Sequence, residues 1–155
     1  MDFRILGPLQ VADGAGAVDL AGRQIALLSR LLIAGGEVVS RDRLIDALWG
    51  EQPPKTAANA LQVHVHALRQ RLGAERIALE GTGYRVCLEP EELDLERFEL
   101  LAARGRAQME RDDPEAAASS LRESLELWRG PAYEDVQYEP FAQSEVEQHP
   151  ARIRR

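Results

Sequence analysis

The chain has 155 residues, 45% of them apolar, and carries 19 Lys and Arg against 26 Asp and Glu, a formal net charge of −7. That composition is globular rather than disordered, and the length suits one ordinary domain or two small ones. A single cysteine, Cys87, excludes a disulfide framework and a cysteine zinc cluster, and no run of about 18 apolar residues or signal-peptide-like start is present, so a soluble cytoplasmic protein is expected.

The charge is unevenly placed. Residues 1–90 hold 10 basic and 10 acidic side chains, whereas residues 91–155 hold 9 and 16, so the whole deficit lies in the C-terminal part. Between Lys55 and Arg85 five basic residues stand against two acidic ones. A locally positive segment inside an acidic chain keeps a polyanionic partner open despite the net charge.

In chain order, "FRILGPLQV" and "AVDL", separated by the turn signal "DGAG", predict a small N-terminal sheet. "RQIALLSRLLIA" places Ile25, Leu28, Leu31 and Leu32 at helical spacing, and Gly35-Gly36 stops it. "EVVS" reads as a short strand whose Ser40 caps a helix over "RDRLIDALWG", with Leu44, Ile45 and Leu48 inward and Gly50 as terminator. "EQPPKT" forces a turn, and a third helix is expected from about Ala57 to Leu72, ended by Gly73.

The third helix contains "LQVHVHALRQRL", with two histidines one residue apart. Residues two apart sit about 200° round a helix, so His64 and His66 cannot share one ion. Leu61, Val65, Leu68 and Leu72 form one stripe toward a core. The far side carries Thr56, Asn59, Gln62, Val63, His66 and Gln70, flanked by Arg69 and Arg71: polar at its centre, cationic at its edges, with Val63 its one apolar side chain. "RIALEGTGYRVCL" then predicts a β-hairpin through Gly81-Thr82-Gly83, with Tyr84, Val86 and Leu88 on one side and Arg85 and Cys87 on the other.

"EPEEL", Glu89 to Leu93, is charged and contains proline, and marks the expected domain boundary. Beyond it Asp94 is expected to cap a helix over "LERFELLAARGRAQMER", and Asp113-Pro114 to start "EAAASSLRESLELWRG" with the stripe Ala117, Leu121, Leu125 and Trp128. So short a link makes an antiparallel helix pair that must lean on the first domain, another copy or a partner. "AYEDVQYEPF" reads as extended loop and "AQSEVEQ" as a helix cut short by Pro150.

Helix, helix, a proline-marked turn, a long third helix and a hairpin containing "GTGYR" resemble the OmpR/PhoB-type winged-helix DNA-binding domain over about residues 3–88. More closely, "RILGPLQV", "LIDALWG", "PPKTAANALQVHVHALRQRLG" and "GYRV" resemble the N-terminal part of SARP/AfsR-type bacterial transcriptional activators. "LDLERFELLAARGRAQ", "SLELWRGPAYEDV" and "EPFAQ" look like the start of that family's bacterial transcriptional activation domain, built of tetratricopeptide-like helices.

The resemblance implies an α+β winged helix-turn-helix over residues 1–90, followed over 91–155 by a partial, truncated all-α helical domain. It implies sequence-specific binding of double-stranded DNA at promoter operators, direct repeats being one arrangement, with RNA polymerase and a second copy as further partners, and no catalysis, cofactor or membrane. Carried onto matching positions, Gln62, Val63, His66 and Arg69 would face base edges in the major groove. Asn59, His64 and Arg71 would lie near phosphates, and Thr82 and Arg85 would take the wing to the minor groove. The residue types suit this: Gln pairs with adenine, Arg with guanine, and Val63 suits a thymine methyl.

Three departures bear on these expectations. Glu80 stands just before the wing glycine, where some members carry arginine, and would repel phosphate. Asn59 and Ala67 replace arginines found elsewhere on the helix, so phosphate contacts are expected to be few. "EQHPARIRR" leaves the helical pattern where the family's domain continues, as in a fragment, a frameshifted product or a shortened regulator.

Plainer readings stand beside the sharp ones. His64 and His66 also suit a solvated surface, Cys87 a passive and partly buried side chain, and Trp49 and Trp128 packing anchors. Asp112-Asp113 and Glu91-Glu92 suit caps or solvated linkers. No phosphate loop, nucleophile triad or metal spacing appears, so an enzyme is not expected. The reading from a different class is a protein-interaction module that has lost useful DNA affinity.

Overall fold

The structure is a computed structural model, and it describes residues 1–134. The loop expected beyond Glu134 and the helix expected over "AQSEVEQ" lie outside the described residues.

An antiparallel sheet of β1 (Asp2–Arg4), β2 (Gln10–Asp13) and β3 (Gly16–Ala17) opens the chain, with Phe3 opposite Val11 and Ala12 opposite Ala17. Three helices follow: α1 (Gly22–Ile33), α2 (Arg41–Trp49) and α3 (Ala57–Leu72). Ala21 has no side-chain acceptor for the start of α1, and Gln24 supplies the return half of a cap by accepting from the Ala21 amide at 2.8 Å. Ser40 caps α2 as its position predicts, its hydroxyl accepting from the Arg43 amide at 3.2 Å. Leu44 and Leu48 are buried, and Ile45 packs on the edge of the same core.

The strand expected over "EVVS" is reduced to one residue pair. Val39 donates to the Tyr84 carbonyl at 2.8 Å and accepts from the Tyr84 amide at 3.0 Å. Gly35 and Gly36, both at positive φ, and the α2 cap at Ser40 leave room for no longer ladder.

A single helical turn, Ala74–Arg76, links α3 to the hairpin of β4 (Ile77–Glu80) and β5 (Gly83–Val86). Glu80 lies opposite Gly83, so the turn is the two residues Gly81-Thr82 and Gly83 already belongs to the ladder. Gly83 is needed there for space: a Cβ would stand 2.6 Å from the Val39 carbonyl oxygen.

Helices α4 (Asp94–Glu110) and α5 (Pro114–Glu126) form the expected antiparallel pair, with Asp113 capping the Ala116 amide at 3.2 Å. The pair leans on the first unit. The seam between them is densely bonded: Phe3 donates to the Glu92 carbonyl at 2.8 Å and bridges to Leu93, while Arg129 and Tyr133 donate to the carbonyls of Leu6 and Ile5, each at 2.8 Å.

Asp94 corrects one expectation. Leu93 occupies the cap position of α4, and the Asp94 carboxylate turns away from its own helix to accept from the Ile5 amide at 2.8 Å and the Leu6 amide at 3.0 Å. The reason lies in the sheet. Pairing of β1 with β2 ends at Arg4 and Gln10, so the buried amides of Ile5 and Leu6 need acceptors from elsewhere.

Glu91-Glu92 corrects another, since Glu92 is no solvated linker. Its carboxylate accepts from both terminal guanidinium nitrogens of Arg76, Nη1 and Nη2, at 2.5 and 2.8 Å, and lies 2.9 Å from the N-terminal ammonium. The helix pair corrects a third. Of the stripe Ala117, Leu121, Leu125 and Trp128, the first and last are buried, but Leu121 and Leu125 are exposed, and Ser120 and Ser124 take inward positions. Trp128 anchors the pair edge-on against Phe98, ring centroids 5.4 Å apart.

Candidate nucleic-acid interface

Helix α3 divides as its spacing predicts. Leu61, Val65, Leu68 and Leu72 are each at most 4% exposed and fix the helix to α1 and α2. On the opposite side Asn59, Gln62, Val63, His66, Gln70 and Arg71 are exposed, Val63 by 65%. A single exposed valine is ordinary on a protein surface, so what marks Val63 is only its position at the centre of a polar face.

The two histidines part company. His66 is exposed, whereas His64 is half-buried with its ring centroid 5.9 Å from that of Trp49. Trp49 is held in turn by the Arg23 guanidinium, 5.5 Å from its ring, and Arg23 also donates to the Leu48 carbonyl. His64 thus belongs to the contact between α3 and the end of α2.

Arg69 and Arg71 also differ. Arg71 is exposed, but Arg69 is half-buried, its Nε donating to the Ile77 carbonyl at 2.9 Å and its guanidinium carbon 5.8 Å from the centre of the Tyr84 ring.

At the wing, Thr82 is exposed in the two-residue turn. Arg85 is paired: its Nε donates to Glu80 Oε1 at 2.6 Å, and this bond, aided by the negative charge around it, raises its pKa further above the usual arginine value. Glu80 and Arg85 therefore cancel one another within the hairpin. The sequence shows Glu80 as a repulsive residue, but only the ladder, which aligns Glu80 with Gly83 and Ala78 with Arg85, brings the two side chains within reach.

The N-terminal end of α3 adds a feature that the residue-by-residue reading passed over. No acidic residue stands in its first turn, Thr56 makes no side-chain cap bond, and Lys55 is exposed just before it. The Ala57 amide donates to the Pro54 carbonyl at 3.0 Å, but the helix dipole, the absence of a side-chain cap and Lys55 make this end attractive to phosphate oxygens. No helix among the described residues is long and apolar enough to cross a membrane.

Comparison with known proteins gives two successive family matches. Residues 15–86 match the family model described as transcriptional regulatory protein, C terminal, and residues 93–153 that of the bacterial transcriptional activator domain. The chain is 32% identical over 148 residues to the regulatory protein DnrI of Streptomyces peucetius, covering 88% of this chain and 54% of the relative. It is 35% identical over 146 residues to the transcriptional regulator RedD of Streptomyces coelicolor, covering 88% and 41%. A solved structure of Mycobacterium tuberculosis EmbR in complex with a low-affinity phosphopeptide superposes with a TM-score of 0.84 at 32% identity, over 97% of this chain and 43% of that one. The chain spans about half the length, or less, of these relatives. With a winged-helix unit, a helix pair of the activator-domain type and these relatives, the chain belongs to the SARP/AfsR-type family of bacterial transcriptional regulators.

Proposed function

We propose that the chain binds double-stranded DNA sequence-specifically and regulates transcription, most simply as an activator, with α3 in the major groove. The observation that carries this is the far face of α3: Asn59, Gln62, Val63, His66 and Arg71 project into solvent from a helix whose other face is locked into the core. Gln62 and His66 offer hydrogen bonds to base edges, and Val63 an apolar contact for a thymine methyl. Asn59, Arg71, Lys55 and the amides at the start of α3 suit flanking phosphates.

At the wing Thr82 is the residue best placed to reach a backbone, since Arg85 must leave Glu80 to contribute. The exposed apolar side chains Leu100, Met109, Leu121 and Leu125 of the helix pair suit contact with another protein, RNA polymerase or a second copy of the chain.

Anisotropy titrations of a labelled duplex pool against the 155-residue chain test the reading. Affinity is expected to fall with salt on a log–log slope of about −3 per bound copy, one unit for each of roughly three phosphates neutralised. Arg71→Ala is expected to reduce that slope by about one. A salt-insensitive or undetectable interaction at low ionic strength would remove the DNA-binding role.

A further inference from the structure

We propose that Arg69 is a positioning residue, which sets the angle of the hairpin against α3, rather than a reader of bases. The inference rests on the reading of α3 as a recognition helix and refines which of its side chains carry specificity.

Arg69 sits one turn before the end of α3, and its side chain crosses the gap to the hairpin instead of following its neighbours outward. Its Nε donates to the Ile77 carbonyl at 2.9 Å, and its guanidinium lies against the Tyr84 ring, 5.8 Å from the centre. Ile77 and Tyr84 are the two points from which the hairpin is hung. Ile77 is 1% exposed, starts β4 and pairs with Val86. Tyr84 bonds Val39 in both directions through its backbone.

The covalent link cannot fix this angle alone. Helix α3 ends at Gly73, whose φ of 110° is open to few residues other than glycine, and a single turn separates it from β4. Arg69 therefore supplies a connection between α3 and the hairpin in addition to the covalent link, while Val39 ties the hairpin to the segment before α2. A guanidinium suits this task, because a planar cation can lie on a ring while its edge donates to a carbonyl, and a lysine ammonium cannot do both in one plane. To reach a guanine in the groove, the side chain would have to surrender both contacts.

The test uses the whole chain and the variants Arg69→Ala and Arg69→Lys, read in two ways. In the free protein, amide hydrogen exchange is followed in the hairpin and, as a control, in α1 and α4. The alanine variant is expected to speed exchange of the protected hairpin amides by roughly tenfold or more, with the controls unchanged. With DNA, affinities are measured over a panel of single-base-pair variants of a selected duplex at several salt concentrations. The alanine variant is expected to lose a similar factor on every duplex, keeping the order of preference and the salt slope, and the lysine variant is expected not to restore binding.

Loss confined to one base pair, by roughly tenfold or more, with unchanged hairpin exchange would show base reading and overturn the proposal. A salt slope reduced by about one and restored by lysine would show a phosphate contact and overturn it equally. If the unaltered chain binds no duplex, the recognition-helix reading fails, and hairpin exchange alone still decides whether Arg69 holds the hairpin.

Discussion

The helix pair presents two opposite kinds of surface. At the seam with the winged helix, residues 89–97 spend charged and polar groups on specific bonds: Asp94 caps two buried amides, Glu92 gathers Arg76 and the N-terminal ammonium, and Arg97 reaches Asp2 at 2.9 Å. Along its outer surfaces the same pair leaves Leu100, Met109 and Leu125 between 46% and 56% exposed, while Leu121, 39% exposed, covers Gly105 of α4. The first turn of α4 is thus part of the winged helix's own structure, while the outer surfaces contribute little to the stability of the described residues. Specific bonds should be costly to remove, and exposed apolar positions cheap to change.

The sharpest contrast is expected at Asp94. Replacing it with alanine strands the amides of Ile5 and Leu6, both in residues no more than 1% exposed, and two buried donors at about 1–3 kcal/mol each give a loss of about 2–6 kcal/mol in urea unfolding. A loss below about 1 kcal/mol would mean the seam is not the structural element described.

Glu92→Gln is expected to cost about 3 kcal/mol by leaving Arg76 without its carboxylate in a mostly buried site. Burial works to raise the Glu92 pKa, but the bonds from Arg76, the Glu89 amide and the N-terminal ammonium outweigh it and hold the group at about 2, against 4.5 unperturbed. The folded state therefore binds this proton less readily than the unfolded chain. Its stabilisation is complete above pH 4.5 and is lost as pH falls from there toward 2. Asp94 acts with the opposite sign: burial raises its pKa despite the two amide bonds, so its protonation partly relieves the cost of a buried charge on acidification. Acid titration of stability in the wild type and in Glu92→Gln separates the two, and the variant is expected to lose the steeper part of the acid limb.

Two glycines carry the contrast to its small end. Gly83→Ala drives a Cβ to 2.6 Å from the Val39 carbonyl, a backbone atom in the hairpin's own anchor, and is expected to cost about 1–3 kcal/mol. Gly105→Ala brings a Cβ to 2.8 Å from both Cδ2 and Cγ of Leu121, a half-exposed side chain that must turn aside as a whole. The gain in helix propensity, up to about 1 kcal/mol, offsets the contact, so a net change within about 1 kcal/mol is expected by thermal unfolding.

The contrast also explains what was legible in the sequence. The division of α3 was fully readable, because 3.6-residue periodicity places Leu61, Val65, Leu68 and Leu72 on one side whatever surrounds the helix. The caps at Ser40 and Asp113 were readable for the same reason, since each bonds an amide three residues on. Asp94 was not, because a carboxylate at a helix start looks like a cap, and the amides it serves lie 89 and 88 residues away. Nor were the engagements of Arg69 with Ile77 and Tyr84 or of His64 with Trp49, since both depend on where neighbouring elements come to rest. Periodicity gives the direction in which a residue points, and tertiary packing decides whether its charged end is still available.

The most direct test of α3 as the recognition element is selection of duplexes from a random-sequence pool by the 155-residue chain, repeated with a variant carrying Gln62→Ala and Val63→Ala. The unaltered chain is expected to enrich a defined motif, and the variant to lose preference at one or two adjacent base pairs, by about 1–3 kcal/mol each, while retaining the rest. Enrichment of the same motif by both proteins, or of none by the unaltered chain, would contradict the assignment of this face to sequence recognition.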